Sequence, residues 1–342
     1  VKILYCGGGT GGHLIPLYSV FKKAEKKGHK ALFVGSSNGF DAGFFARYNL
    51  PSILLSGSRF YQGGPLGIIK KLYPAIIESL RAIRAYAPDV VVASGGYGSV
   101  PVLTAALLCG IPYYLIEPNS VAGKVNRWFF PLSQKLFSHF ESVSGLPAGS
   151  AKIISTGNPL PYESYKREGI AGLLVFGASQ GASCINDFFY RYIMEKGAEC
   201  NVYWVTGERD FPRFRHLAYR FKKLSVFPYA DDMSKLYQKV SLALGRAGAG
   251  TVAEIEAFRL PCVFVPYAHH KDSQQFKNCF HLVEREACLQ WEESSLNDGA
   301  RINQLHDLLF NSSKRENMER RFPMRQITGA ADNILTILES SF

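Results

Sequence analysis

The chain has 342 residues, 47% hydrophobic and 20% charged, with a formal net charge of +11. That is ordinary globular composition and suits two domains of about 150–170 residues, each able to bury a core. The positive charge would suit nucleic acid, an anionic membrane or a phosphorylated substrate, but Lys and Arg read as scattered, with no basic block interleaved with aromatics, which argues against nucleic acid.

Short β-branched and aromatic runs predict strands at 2–6, 31–35, 52–56, 89–94, 112–117 and 135–139, with helical patterns over 13–27, 39–48, 66–86 and 99–109. A second series follows "GNPLP" (157–161), with strands at 172–177, 201–207, 224–229, 240–245 and 261–267. Strand–helix–strand repetition implies parallel sheets covered by helices on both faces. Two such sets read as two Rossmann-like domains. Ligands of open α/β sheets bind beyond the carboxyl ends of the strands, so the site is expected in a cleft between facing domains. The last stretch, "AADNILTILESSF", has helical spacing at Ile334, Leu335 and Leu338. It either closes the second domain or crosses back to the first.

The seven cysteines, at 6, 109, 184, 200, 262, 279 and 288, form no C-x-x-C pair and read as buried free thiols of a reducing compartment. No signal peptide is expected before the first strand, and the apolar runs are far shorter than the roughly 20 residues that span a bilayer. The expectation is a soluble, cytoplasmic protein.

The loop "CGGGTGGH" (6–13) follows the first strand and satisfies G-x-G-x-x-G at Gly7, Gly9 and Gly12. A dinucleotide enzyme would also place an acid at the end of the second strand for the ribose hydroxyls. Here that strand runs "LFVGSSNGF", and the first acid is Asp41. Glycine-rich strand ends recur as "ASGGYGSVP" (93–101), "FGASQGA" (176–182) and "GRAGAGTVAEIEAF" (245–258). Any one of them is explained by tight strand-to-helix packing. Four together point to a cleft that binds phosphate and sugar through backbone N–H groups at helix N-termini. The sequence lacks D-x-D, H-E-x-x-H, a cysteine cluster and a P-loop, so neither a metal nor a cofactor is expected.

Taken in order, "GGTGGHLIP" (8–16), "GGYGSVP" (95–101), "EPNSVAGKVN" (117–126), "GNP" (157–159), "GASQGA" (177–182), "RAGAGTVAE" (246–254) and "HKDSQQFKN" (270–278) resemble the signature of the MurG family. Its members are the UDP-N-acetylglucosamine–N-acetylmuramyl-(pentapeptide) pyrophosphoryl-undecaprenol N-acetylglucosamine transferases. The resemblance implies an α/β GT-B fold, with two Rossmann-like parallel-sheet domains facing a cleft. One is residues 1–158 with a returning helix at about 327–342, which takes lipid I and faces the membrane; the other is residues 159–326, which binds UDP-GlcNAc. It also implies a peripheral enzyme on the cytoplasmic side of the bacterial membrane.

The roles it implies fall on particular residues. Glu254 matches the glutamate for the ribose hydroxyls, on the helix whose start holds Ala249, Gly250 and Thr251. Ser179, Gln180 and Gly181 match the loop facing the diphosphate. Gln274 and Gln275 match the pair reading the GlcNAc hydroxyls, Asn119 lies by the sugar, and Ala230 matches the backbone position that reads uracil. Thr10, Gly11, Gly12 and His13 make a surface for the acceptor's pyrophosphate. An imidazole at that place can take the proton of the attacking hydroxyl, although His13 also reads as a cap or a phosphate ligand, and Glu117 is a second candidate base. The chain departs from the family pattern at Pro118, at "RAGAGT" and at Pro161, where a donor-contacting arginine is usual. A lost guanidinium removes a charge-assisted bond to phosphate.

The segment 65–88 carries an apolar stripe at 69, 72, 73, 76, 80 and 83, flanked by Ile68, Lys70, Lys71, Arg81 and Arg84, and "KVNRWFFP" (124–131) adds Arg127, Trp128, Phe129 and Phe130. Such patches bind anionic membrane surfaces, but the same stripe is equally that of a core helix. The reading is an inverting transfer of GlcNAc from UDP-GlcNAc to the MurNAc 4-hydroxyl of lipid I, giving lipid II. The rivals are a UDP-GlcNAc 2-epimerase and a non-catalytic sugar-nucleotide-binding protein.

Overall fold

Along the first strand, β1 (Lys2–Cys6), side chains alternate between two apolar layers: Ile3 and Tyr5 enter one, Leu4 and Cys6 the other. A strand buried on both faces is what a parallel sheet covered by helices requires. The computed structural model describes residues 1–37, 39–56, 65–162, 165–168, 171–177, 181–268, 272–323 and 329–341, with backbone alone at 65–69. They form two units, Val1–Pro161 with Ile327–Phe342, and Tyr162–Gln326.

In the first unit β1 is followed by β2 (Lys30–Ser36), β3 (Ser52–Leu55), β4 (Val90–Ala93), β5 (Tyr113–Glu117), β6 (Leu136–Ser138) and β7 (Ile153–Ser155). They hydrogen-bond in parallel in the order β3-β2-β1-β4-β5-β6-β7. The second unit has β8 (Gly172–Phe176), β9 (Asn201–Val205), β10 (Leu224–Phe227), β11 (Leu242–Gly245), β12 (Cys262–Phe264) and β13 (Leu289–Gln290), in the parallel order β10-β9-β8-β11-β12-β13. Both are Rossmann orders, which reverse direction once. The reversal lies between β1 and β4, where Cys6 pairs with Ala93, and between β8 and β11, where Phe176 pairs with Gly245. All four glycine-rich loops therefore leave strands at these two switch points, where open α/β sheets bind ligands.

The strands β7 and β13 were not expected. Each is an edge strand of two or three residues with mixed exposure, too short to show a period. The segment 124–129 folds as a short helix, Lys124–Phe129, with Val125 and Asn126 turned inward. The last helix, Ala330–Glu339, returns to the first unit. It buries Ala331, Ile334, Leu335 and Leu338 with Leu17, Val20 and Ala24 of the helix Gly11–Lys26. Lys23–Asp332 and Lys27–Glu339 pairs, both at 2.9 Å, flank the contact, and the Tyr114 hydroxyl donates to Ser341 Oγ at 2.7 Å.

In the long helix Pro65–Tyr86, Leu72, Leu80 and Ile83 pack on the core, as a core helix requires, while Tyr73 stays 66% exposed. The cysteines also need a correction: Cys109 and Cys184 are half-buried, and only the other five are buried. Both lie on helix ends rather than in strands, so their side chains sit at the margin of the core. Among the described residues no helix is long and apolar enough to cross a membrane.

Candidate active site

In the first unit the chain leaves β1 through Cys6-Gly7-Gly8-Gly9-Thr10 and enters the helix Gly11–Lys26. The glycines are required by close approach. A Cβ on Gly7 would meet Ser94 Oγ at 2.4 Å, and one on Gly8 would meet Asp41 Oδ2 at 2.3 Å. Gly96, at φ +76, brings the loop after β4 against the carbonyl of Gly8, where a Cβ would lie 2.5 Å from that oxygen. The two loops thus pack backbone to backbone.

Two side chains lock them. Asp41, buried, accepts N–H bonds from Gly9 at 2.8 Å and Ser36 at 2.9 Å. Burial raises its pKa, and the two backbone donors oppose that rise. Asp41 lies in the helix Phe40–Arg47, beyond the end of β2, and holds the glycine loop. Ser94 closes the other side: its hydroxyl donates to the His13 carbonyl at 2.6 Å, and its own carbonyl oxygen lies 2.6 Å from His13 Nδ1. A carbonyl only accepts, so Nδ1 carries the proton and Nε2 of the neutral ring is an acceptor. The half-buried His13 is thereby fixed in tautomer and orientation. Beside it, Thr10, Gly11 and Gly12 form the first turn, where backbone N–H groups lack intrahelical partners and favour an anion.

Glu117, at the end of β5, is 1% exposed. Its carboxylate accepts from Asn119 N at 3.1 Å, Asn119 Nδ2 at 3.0 Å, Gly123 N at 2.8 Å and Asn126 Nδ2 at 2.9 Å. Four donors fill the roughly four acceptor positions of a carboxylate. Glu117 therefore organises the loop 118–126 and has no lone pair left for an incoming proton. Asn119 is half-buried on that loop.

In the second unit Gly177 and Gly181 follow β8. A Cβ on Gly177 would lie 2.1 Å from Ala182 N, and one on Gly181 (φ +76) 2.3 Å from Thr206 O. Ser179 and Gln180 lie outside the described residues. After β11 the chain passes Arg246, Ala247 and Gly248 into the helix Ala249–Ala257, with Ala249, Gly250 and Thr251 half-buried in its first turn. Arg246 is buried. It pairs with Glu293, donates to Val265 O at 3.0 Å and lies over the Tyr267 ring at 5.3 Å. The guanidinium staples this loop to the end of β12.

Glu254 is half-buried one turn into that helix. Tyr162 OH donates to its Oε1 at 2.5 Å and Tyr237 OH to its Oε2 at 2.8 Å. Burial pushes its pKa up, the two phenols pull it down, and the nearby Asp232 charge pushes it up again. Half-buried Ala230 precedes the turn in which Asp232 Oδ1 accepts from Ser234 N and Oγ. Gln274 and Gln275 open the helix Gln274–Glu284; Gln275 Oε1 accepts from Tyr267 N at 2.9 Å, and Asn278 Nδ2 reaches Ala247 O at 3.4 Å. Each of these contacts lies within the second unit. His269 and His270, adjacent in sequence, fall outside the described residues.

Asp41, Ser94, Tyr162 and Tyr237 were not singled out as site residues in the sequence, because each acts on a partner far away along the chain. A correction concerns the cations. Along the short helices Phe211–Phe214 and Leu217–Arg220, Phe214 and Leu217 turn inward, leaving Arg213, Arg215, His216, Arg220, Lys222 and Lys223 exposed around a 93% exposed Tyr219. This is a basic stretch with interleaved aromatics, not a scatter.

Residues 3–138 match the glycosyltransferase family 28 N-terminal domain, and residues 172–334 match its C-terminal domain. The chain is 31% identical over 324 residues to the UDP-N-acetylglucosamine--N-acetylmuramyl-(pentapeptide) pyrophosphoryl-undecaprenol N-acetylglucosamine transferase of Vibrio atlanticus, covering 92% of this chain and 91% of that one. The chain belongs to this family of glycosyltransferases, the MurG family. The enzyme of the same name from Haemophilus ducreyi is 29% identical over 98% of each chain. The fold is that of the crystal structure of Acinetobacter baumannii MurG, with a TM-score of 0.80 at 23% identity over 99% of each chain. The GT-B architecture expected from the motifs is therefore the observed one.

Proposed function

We propose that the chain transfers GlcNAc from UDP-GlcNAc to the 4-hydroxyl of the MurNAc in lipid I, forming lipid II for peptidoglycan synthesis and thus for cell shape and division. The observation that carries the mechanism is the His13–Ser94 pair, which leaves His13 Nε2 as a fixed proton acceptor beside an anion-binding helix start. In the reaction the acceptor O–H gives its proton to Nε2, its oxygen bonds to C1 of GlcNAc, and the C1–O bond to UDP breaks. Attack opposite the leaving group inverts the anomeric carbon. General bases contribute about 10²–10⁴-fold to such steps.

The first unit supplies the acceptor surface through Thr10, Gly11, Gly12 and His13. The second takes the donor: Ala230 reads the base, Glu254 the ribose, and Ser179, Gln180 and Gly181, with Ala249, Gly250 and Thr251, meet the diphosphate. Gln274 and Gln275 meet the sugar. Helix N-termini stabilise the leaving diphosphate electrostatically, and no step here is routed through a metal or cofactor. With Glu117 committed to the 118–126 loop, the base is His13. Tyr73, Leu108, Trp128 and Leu132 are each more than half exposed, and Arg127 is exposed beside Trp128. They support peripheral contact with an anionic bilayer on the cytoplasmic side, where a polyprenyl-linked acceptor resides.

Incubating the protein with UDP-GlcNAc and a soluble lipid I analogue tests this directly. A transferase yields disaccharide and UDP, a 2-epimerase yields UDP-ManNAc, and a binding protein yields neither.

A further inference from the structure

We propose that Tyr162 and Tyr237 are positioning residues for donor recognition: together they aim the Glu254 carboxylate at the nucleoside ribose and so set the preference for a ribonucleotide donor over its 2′-deoxy form. This rests on the reading of Glu254 as the ribose acceptor given above.

The geometry is specific. The two phenols approach different oxygens of one carboxylate, Tyr162 on Oε1 at 2.5 Å and Tyr237 on Oε2 at 2.8 Å. A carboxylate has about four acceptor positions; the phenols take one on each oxygen and leave one on each. Two remaining acceptors, one per oxygen, match two vicinal hydroxyls. Without the phenols the terminal torsion of a glutamate is broad and roughly two-fold, so the pair converts a rotating group into a fixed fork.

The phenols themselves are held from separate places. Tyr237 ends the helix Ser234–Tyr237, which the Asp232 turn opens, and its fully buried ring lies 5.2 Å from Phe258. Tyr162 follows Pro161 and packs edge-on against Tyr165 and Phe258 at 6.3 and 6.1 Å. Burial and the Glu254 charge push both phenol pKa values far up, so both hydroxyls stay protonated donors at any working pH.

The test uses the full chain with Tyr162→Phe, Tyr237→Phe and the double variant, each keeping the ring and removing one hydroxyl. KM and kcat are measured for UDP-GlcNAc and for 2′-deoxy-UDP-GlcNAc, with Glu254→Gln as reference and thermal unfolding alongside. Each single Phe variant is expected to raise KM for UDP-GlcNAc about five- to tenfold, the scale of one ordinary net hydrogen bond. Its kcat and its KM for the deoxy donor should stay within about twofold, so the preference for ribose shrinks. Equal KM changes for both donors with a lowered Tm would make the tyrosines merely structural and overturn the proposal. If Glu254→Gln abolishes the preference while both Phe variants keep it, the tyrosine proposal alone fails. If Glu254→Gln leaves the preference intact, the ribose reading falls and takes the proposal with it.

Discussion

His13 and Ser94 hold each other by two bonds of 2.6 Å, imidazole Nδ1 to the Ser94 carbonyl and Ser94 hydroxyl to the His13 carbonyl. The pair joins the first turn of the helix Gly11–Lys26 to the residue after β4, across the switch point of the first sheet. It sets which ring nitrogen carries the proton before any substrate arrives.

If His13 is the base, His13→Ala lowers kcat by about 10²–10⁴-fold and leaves the affinity for UDP-GlcNAc nearly unchanged. Steady-state kinetics with a soluble acceptor and direct titration of the donor measure the two quantities. A variant that keeps kcat and raises only the KM for the acceptor makes His13 a binding residue.

Asp41 predicts a pH-dependent loss of stability. Asp41→Asn replaces one acceptor oxygen by a donor facing a backbone N–H, at a cost of about 1–3 kcal/mol. Burial raises the folded-state pKa of Asp41. A raised carboxyl binds its proton more tightly folded than unfolded, so its contribution is full below the unfolded value and declines as pH rises through the folded one. The difference between wild type and Asp41→Asn is therefore largest in acid and shrinks toward neutrality. Urea unfolding of both proteins across that range checks it; a difference that grows with pH contradicts the assignment.

The returning C-terminal helix is part of the first core. Leu335 is fully buried between that helix and the helix Gly11–Lys26. Leu335→Ala is expected to cost about 2–5 kcal/mol, read as a lowered midpoint in chemical unfolding. A change below about half a kcal/mol, the range of ordinary surface substitutions, would mean that the helix does not dock.

The exposed apolar residues predict a membrane effect separable from chemistry. Trp128→Ala with Leu132→Ala should weaken binding to phosphatidylglycerol vesicles roughly tenfold or more, since burying such side chains is worth about 1.5–3 kcal/mol each. Turnover of a soluble acceptor should stay at the wild-type level. Unchanged vesicle binding places the contact elsewhere, with the basic stretch 213–223 the next segment to vary.

The sheets were legible because buried parallel strands such as "DVVVAS" and "GLLVFG" are nearly continuous apolar runs, and the glycine loops because close approach leaves a compositional trace. What escaped was pairing at long sequence distance. Asp41 reads as a failed ribose acid until Gly9 is seen donating to it, 32 residues earlier. Tyr162 and Tyr237 look like ordinary core aromatics, separated by 92 and 17 residues from the carboxylate they hold. Glu117 reads in the sequence as a second candidate base, with nothing to show what it bonds. Its four donors come from side chains and turns that no periodicity records.

Group transfer with inversion is read most directly from the fate of the GlcNAc anomeric carbon. The protein, UDP-GlcNAc and a soluble lipid I analogue are followed by NMR while released UDP is quantified. The account predicts one UDP for each disaccharide formed, a β linkage from the α-configured donor, and no UDP release without acceptor. An α-linked product, UDP-ManNAc, or UDP release independent of the acceptor would contradict it.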